Sequence, residues 1–473
     1  MKRKSEKKYK HLASFILCIF CFVAGVLVPV TYNSLISPDS SEWKKLEKVY
    51  SIMSENWYFG NDVDNLEDTL VEQAITGMTY FDVDPHTNYF NLEQAQQFSA
   101  ALEGSNVGIG FTYYTDEDKN MVVKNVFVDS PADKAGFQSG DIVEEVDGLN
   151  CANEDIQTIL DHIKEMAEKE IDVRILRNDQ KKVISLTPTS YDSTVVCNIY
   201  DTYGEIILNS FSESSGKDFA LSMERIQKAG LKKIIIDLRD NTGGYLKSVV
   251  DIASILLPKD SVVFSEEDKD GNKSEQKVSD AYSQIKMDQI IVLQNENTAS
   301  ASEVLIGALK AYLKDDVITI GVNTYGKGTE QVSIPFTDGT SLKYTCAKWY
   351  TPDGENINNE GFKPDVEVEQ SEAASAKYTK MEEDTVIKKD AVHTNAQALQ
   401  IYLKFLGYDV DREDTYFSIQ SSKALELYQS EHNLSVTGDC DYDTWNSIVD
   451  TVLLKLNNQS YDYQRQKALD LIQ

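Results

Sequence analysis

Histidine is scarce in this chain, and its placement excludes the commonest serine chemistry. His11, His86, His162, His393 and His432 are the five, and none falls between Tyr203 and Asp365, where strands and helices alternate. A serine nucleophile there needs a base of another kind. Basic residues are also short: 46 Lys and Arg stand against 77 Asp and Glu, a net charge of −31. An acidic surface repels phosphate backbones, which excludes nucleic acid as a partner. Cysteines are few and scattered. Cys18 and Cys21 lie in an apolar run, and Cys151, Cys197, Cys346 and Cys440 have no paired spacing for zinc, so they read as small apolar side chains.

What is there begins with an address. Six of the first ten residues are Lys or Arg, and residues 12–30 follow without a charge. At ~1.5 Å per residue that helix would reach roughly 28 Å, about one hydrocarbon core. The preceding charges place residues 1–11 in the cytoplasm and the rest outside, on a single-pass cell-membrane anchor. A cleaved secretory signal is the alternative, but no clean small-x-small site follows Val30.

The 473 residues should form several domains. Residues 31–100 read as helical, with Trp43, Leu46, Val49, Tyr50 and Met53 on one face. The turn at Asp84-Pro85-His86-Thr87 reads as capping rather than chemistry. Short alternating strands fill residues 101–188. Residues 189–369 alternate strand and helix, with buried runs at 233–238 and 289–293. The strand ends carrying Gly243-Gly244 and Ser300 should meet at one sheet edge, where α/β sheets bind ligands. Asp237 and Arg239 read as fixing their turn through charged hydrogen bonds. Residues 370–385 read as a linker by composition, 386–455 as a small module of three helices, and 456–473 as a C-terminal helix.

The chemistry concentrates in residues 298–331. Ser300 stands near the start of a helix with Val304, Leu305, Ala308, Leu309 and Tyr312 on one face. Free N–H groups at a helix start favour developing negative charge. A β-rich run follows, and then Gly326-Lys327-Gly328 presents a lysine, suggesting a Ser/Lys dyad. Lysine serves as a base only when neutral, which needs its pKa lowered by ~3 units from ~10.4. Residues 321–327 also match part of a phosphate-binding loop. However, Gly328 replaces the magnesium-binding Ser or Thr, and a strand rather than a helix should follow.

Several motifs carry a resemblance. The run from Ser130-Pro131 to Val146-Asp147-Gly148 resembles a PDZ domain, whose loop would be Gly108, Ile109, Gly110 and Phe111. That resemblance implies capture of a substrate C-terminus as an added strand. The module with Leu406-Gly407-Tyr408 and Thr444-Trp445 resembles a peptidoglycan-binding-like domain, although Asp414-Thr415 stands where an aspartate-glycine turn is usual. A glycan binder and a packing module both remain open for it.

Together with Ser300-Ala301-Ser302-Glu303, Gly326-Lys327-Gly328 and residues 237–244, these resemble a carboxy-terminal processing (tail-specific) serine protease over roughly residues 41–473. The resemblance implies a multidomain α+β fold. Its parts are an N-terminal helical dimerisation region, a β-barrel-like PDZ domain, an α/β protease core with a crotonase-like ββα sheet, and a three-helix C-terminal domain. It makes Ser300 the nucleophile, Lys327 the general base, Gln331 the residue orienting the lysine, and the N–H groups of Gly244 and Ala301 the oxyanion hole. It also implies a homodimer formed through the N-terminal helices and the tail helix, protein substrates with accessible C-termini, peptidoglycan contact, and neither metal nor organic cofactor. Two departures stand out: about two extra residues near 313–316, and Thr242 where proline is common. The rival from another class is an inactive PDZ and wall-binding scaffold.

Overall fold

The computed structural model describes residues 41–116, 118 and 120–472. The apolar run at 12–30 lies outside the described residues. Among those described, no helix is long and apolar enough to cross a membrane. The chain forms two compact units, one of residues up to Leu92 with 333–344, the other of 93–332 with 345 onward.

The first unit carries helices Ser41–Asn56 and Leu66–Thr79, neither of which buries a residue. Trp43, Leu46 and Val49 form the face their spacing predicts, yet remain 48%, 38% and 50% exposed. Asp84 accepts from the His86 N–H at 3.2 Å and the Thr87 hydroxyl at 2.6 Å. That is the turn read from the sequence, but it leads into strand Asn88–Phe90 rather than capping a helix. Strand Asn88–Phe90 pairs antiparallel with residues 341–343.

In the second unit, the PDZ-like sheet orders its strands Phe111–Thr115, Met121–Val126, Ile142–Val146, Ile171–Arg177 and Gln180–Leu186. Its core is Val123, Val143, Val146, Ile159, Val173 and Ile175. The Ser130-Pro131 motif folds as a capped helix start, with the Ser130 hydroxyl accepting from the Asp133 N–H at 3.1 Å. A separate two-stranded ribbon, Ser105–Gly108 against Thr189–Asp192, runs antiparallel.

Six strands make the central sheet, in the order Val195–Ile199, Gly204–Leu208, Lys233–Asp237, Gln289–Gln294, Val317–Gly321, Val366–Glu367. The first pair is antiparallel and the rest are parallel. Parallel strands are covered on both faces, which is why they read as continuous apolar runs. One face carries helices Ser215–Lys228, Leu246–Leu256 and Ala301–Leu313. The last departs from the single apolar face expected of it: every residue from Ala301 to Leu309 is buried. Tyr312 falls outside that core and accepts from the Val262 N–H at 2.9 Å. The residues after it form an exposed turn, Lys314–Asp316.

The opposite face of the sheet, with Ile235, Ile291, Leu293 and Ile320, lies under Ala468 of the C-terminal helix Tyr463–Leu471 and Ile472 just beyond it. Arg465 anchors that helix by a buried ion pair, Nε to Glu205 Oε1 at 2.6 Å. The tail is therefore a layer of its own chain's core, a placement periodicity alone could not supply. Helices Ala396–Leu406, Ile419–Glu431 and Tyr442–Asn457 form the C-terminal module around Leu399, Leu425, Tyr428 and Trp445. Residues 370–385 correct the linker reading, because Ala373 and Met381 are buried in that module's core. Their small, charged neighbours masked two apolar anchors.

Candidate active site

Strands Lys233–Asp237 and Gln289–Gln294 lie side by side in register, Asp237 opposite Leu293. The loops leaving them are stitched together. The Thr298 hydroxyl donates to the Leu238 carbonyl at 2.9 Å, and the Ala299 N–H to the Asn241 carbonyl at 3.0 Å. The Ser302 hydroxyl donates to that carbonyl at 3.0 Å, which gives Ser302 and Thr298 structural duties. Asn241 is fully buried; its Nδ2 donates to Leu208 O at 2.6 Å and its Oδ1 accepts from the Gly243 N–H at 2.9 Å.

Ser300 sits at the elbow between loop and helix with φ 55° and ψ −115°. A β-carbon-bearing residue held there is strained, and the surrounding hydrogen bonds hold it. The first loop closes on it through two glycines. At Gly243, φ 106°, a Cβ would lie 2.9 Å from Ser300 Cβ and 3.0 Å from the Ala301 nitrogen. At Gly244, φ 143°, a Cβ would lie 2.2 Å from the Phe211 carbonyl oxygen. Phe211 in turn donates its N–H to Gly243 O at 3.0 Å and accepts from the Tyr245 N–H at 2.8 Å. The glycine turn thus lies against Ser300 and the first helical N–H, that of Ala301, which has no acceptor within the helix.

Glu303 joins this elbow to the lysine loop. Its Oε2 accepts from the N–H groups of Ser300 at 2.8 Å and Lys327 at 2.9 Å. Its Oε1 accepts from the Thr324 hydroxyl at 2.6 Å and the Gly326 N–H at 2.7 Å. The carboxyl is fully buried; burial pushes its pKa up, and these four donors pull against that rise. Lys327 is fixed from its other side as well, its carbonyl accepting from Trp349 Nε1 at 2.8 Å. A strand, Thr329–Pro335, follows rather than a helix, so the phosphate-loop reading fails.

The backbones of Ser300 and Lys327 are thus brought together, with Gly244 and Ala301 alongside. Gln331 stands on the strand after the lysine, and its amide donates to the hydroxyls of Thr329 at 2.9 Å and Thr345 at 3.2 Å. Of Gly108, Ile109, Gly110 and Phe111, the first ends the ribbon strand and the last opens the PDZ-like sheet; Ile109 is buried in that sheet's core, and the Gly110 carbonyl accepts from Ser130 Oγ at 3.1 Å. Asp237 and Arg239 make the expected pair, Arg Nη2 to Asp237 Oδ2 at 2.6 Å, and Arg239 also reaches Asp462 at 2.7 Å. Sequence reasoning missed Asp462, Asn241 and above all Glu303. The last was detectable, because serine followed three residues later by glutamate is a capping-box signal.

Chemically, an oxygen gaining negative charge beside Ser300 would face the positive end of a helix and a glycine turn. The Peptidase family S41 model matches residues 202–368, a PDZ domain model residues 122–177, and a putative peptidoglycan binding domain model residues 392–448. A probable CtpA-like serine protease of Staphylococcus haemolyticus (strain JCSC1435) is 30% identical over 468 residues, covering 97% of this chain and 92% of its own. Its counterpart in Staphylococcus aureus (strain COL) is 31% identical over 462 residues, covering 96% and 91%. The solved photosystem II D1 C-terminal processing protease aligns with 70% of this chain and 94% of its own, at 21% identity and a TM-score of 0.37. With such identity along nearly its full length, this chain belongs to peptidase family S41, as a CtpA-like serine peptidase.

Proposed function

We propose that this serine peptidase cuts proteins near their C-termini with a Ser300/Lys327 dyad. Neutral Lys327 takes the Ser300 proton as Oγ bonds to the scissile carbonyl carbon. The carbonyl oxygen, now anionic, is held by the N–H groups of Gly244 and Ala301. The C–N bond then breaks, the proton passes from lysine to the departing amine, and water hydrolyses the acyl-enzyme. Gln331 orients the lysine amine. The observation that carries this reading is the shared Glu303 oxygen, which fixes both loops to one point.

The finer architecture belongs to the same proposal: a helical dimerisation region, a PDZ domain that receives the substrate C-terminus at residues 108–111, a crotonase-like core and a three-helix module that contacts peptidoglycan. Residues 12–30 anchor the chain, with the catalytic part outside the cell. A homodimer is supported by the exposure of Leu46 and Val49, apolar side chains 38% and 50% exposed on helix Ser41–Asn56. Ser300→Ala protein is compared with wild type on an unstructured substrate. Cleavage by wild type alone is expected; equal cleavage by both removes Ser300 from the mechanism.

A further inference from the structure

We propose that Asp192 is a positioning residue for the Gly243-Gly244 turn, a role that rests on the oxyanion reading of that turn. Asp192 ends the ribbon strand Thr189–Asp192, opposite Ser105. Its Oδ2 accepts from the hydroxyls of both Ser212 and Ser214. Its Oδ1 accepts from the Thr194 N–H at 2.8 Å and from the Thr194 hydroxyl. The ribbon packs flush here: at Gly104, φ 66°, a Cβ would lie 3.0 Å from Ser212 Cβ and 3.2 Å from Asp192 Oδ2.

The grip passes directly to the glycine turn. Ser212 is 1% exposed and follows Phe211. Phe211 is the residue whose N–H holds the Gly243 carbonyl at 3.0 Å and whose own carbonyl lies beneath Gly244. Around Ser212 the polar groups are hydroxyls: Ser215 Oγ lies 2.9 Å from its Oγ and accepts from its N–H at 2.8 Å. Hydroxyls both donate and accept, so such a ring can reverse its direction. An acceptor-only carboxylate removes that freedom, because both serines must donate to it, through charge-assisted bonds. The Phe211 ring, buried in the core, fixes the depth of the loop. Asp192 fixes its rotation, and with it the aim of the Gly244 N–H.

Asp192→Asn, Ser214→Ala and the double variant are made in the full chain. Each is assayed for kcat and KM on an unstructured protein, and for affinity to a peptidyl boronate, whose adduct with Ser300 places a negative oxygen in the anion site. Loss of aim in one oxyanion donor should lower kcat about 30–100-fold in Asp192→Asn. Boronate affinity should fall in parallel, with KM and the pH profile unmoved. Ser214→Ala should lose less, in the same direction, and the double variant no more than Asp192→Asn alone. The proposal is overturned if Asp192→Asn keeps wild-type kcat and boronate affinity, if KM and melting temperature move with kcat, or if the two losses simply add. Should wild type bind the boronate no better than the unreactive parent peptide, the oxyanion reading falls first, and this proposal with it.

Discussion

Ser300 and Lys327 hang from one oxygen: the N–H groups of both donate to Glu303 Oε2, at 2.8 and 2.9 Å. A single buried carboxylate therefore sets the spacing between the elbow and the lysine loop, although it touches no substrate in the proposed mechanism. Four donors converge on it, and a carboxylate is the side chain that accepts at both oxygens.

Glu303→Gln tests that arrangement. The amide turns a nitrogen toward two of the four donors, leaving them unsatisfied at about 1–3 kcal/mol each. Displacement of either loop by ~1 Å would lower kcat on the order of 100-fold. Urea unfolding and steady-state cleavage measure the two effects separately. A variant with wild-type kcat would show that the shared oxygen does not set the catalytic spacing.

The buried pair of Arg465 and Glu205 holds the C-terminal helix on the sheet, with side chains 7% and 5% exposed. Removing one partner strands a buried charge, so Glu205→Ala should destabilise the second unit by about 3–5 kcal/mol. The double change Glu205→Leu with Arg465→Met should recover most of that loss, because desolvation disappears along with the attraction. Denaturant midpoints decide it. Equal stability of Glu205→Ala and wild type would mean that the tail helix is held by its other contacts, Ala468 and Ile472 on the sheet and Asp462 on Arg239.

Glu330, beside Gln331, gives a pH prediction. Burial, followed by the nearby Glu266 carboxyl, pushes its pKa up from 4.5 to about 7. Ser274 and Gln276 donate to Glu266 on the facing strands, and the Cys346 thiol donates to the Glu330 carbonyl. Between pH 4.5 and 7 the folded chain holds a proton that the unfolded chain has released, so this group's contribution to stability is lost as pH rises through that window. Glu330→Gln should flatten that slope and stabilise the protein at pH 8, by about 1 kcal/mol at most given its part-exposed site. Parallel melting curves for the two proteins across pH 4–8 would place the slope elsewhere.

The sheet was legible because its strands, Lys233–Asp237 and Gln289–Gln294, are buried on both faces and read as unbroken apolar runs. Ser300 and Lys327 stand out in the sequence because glycines and small residues flank them, and the structure brings their backbones to one carboxylate. Contacts between distant segments left no such trace. Arg465 meets Glu205 across 260 residues, and Asp462 meets Arg239 across 223. Neither pairing has a periodicity. Ala373 and Met381 were hidden for a related reason: two isolated apolar residues in a charged stretch look like a tether until the core that receives them is built.

The two glycines facing Ser300 should fail in different ways when given a side chain. At Gly243 the added Cβ meets Ser300 Cβ at 2.9 Å and the Ala301 nitrogen at 3.0 Å. Those are the groups proposed for the reaction; the overlap is shallower than at Gly244, and the elbow must shift by tenths of an ångström to relieve it. Gly243→Ala should therefore fold, at a strain cost of about 1–3 kcal/mol for its left-handed backbone. Its acylation should be slower by about 100-fold, because nucleophile and anion donor are pushed out of line. At Gly244 the added Cβ would meet the Phe211 carbonyl oxygen at 2.2 Å and its carbon at 2.8 Å. Backbone cannot swing aside, so Gly244→Ala must break the pairing of Phe211 with the turn and lose more stability than Gly243→Ala. Urea midpoints and the rate of the acylation burst separate the two. If Gly243→Ala acylates like wild type, the turn does not border the reacting atoms, and the space beside Ser300 must be closed by another element.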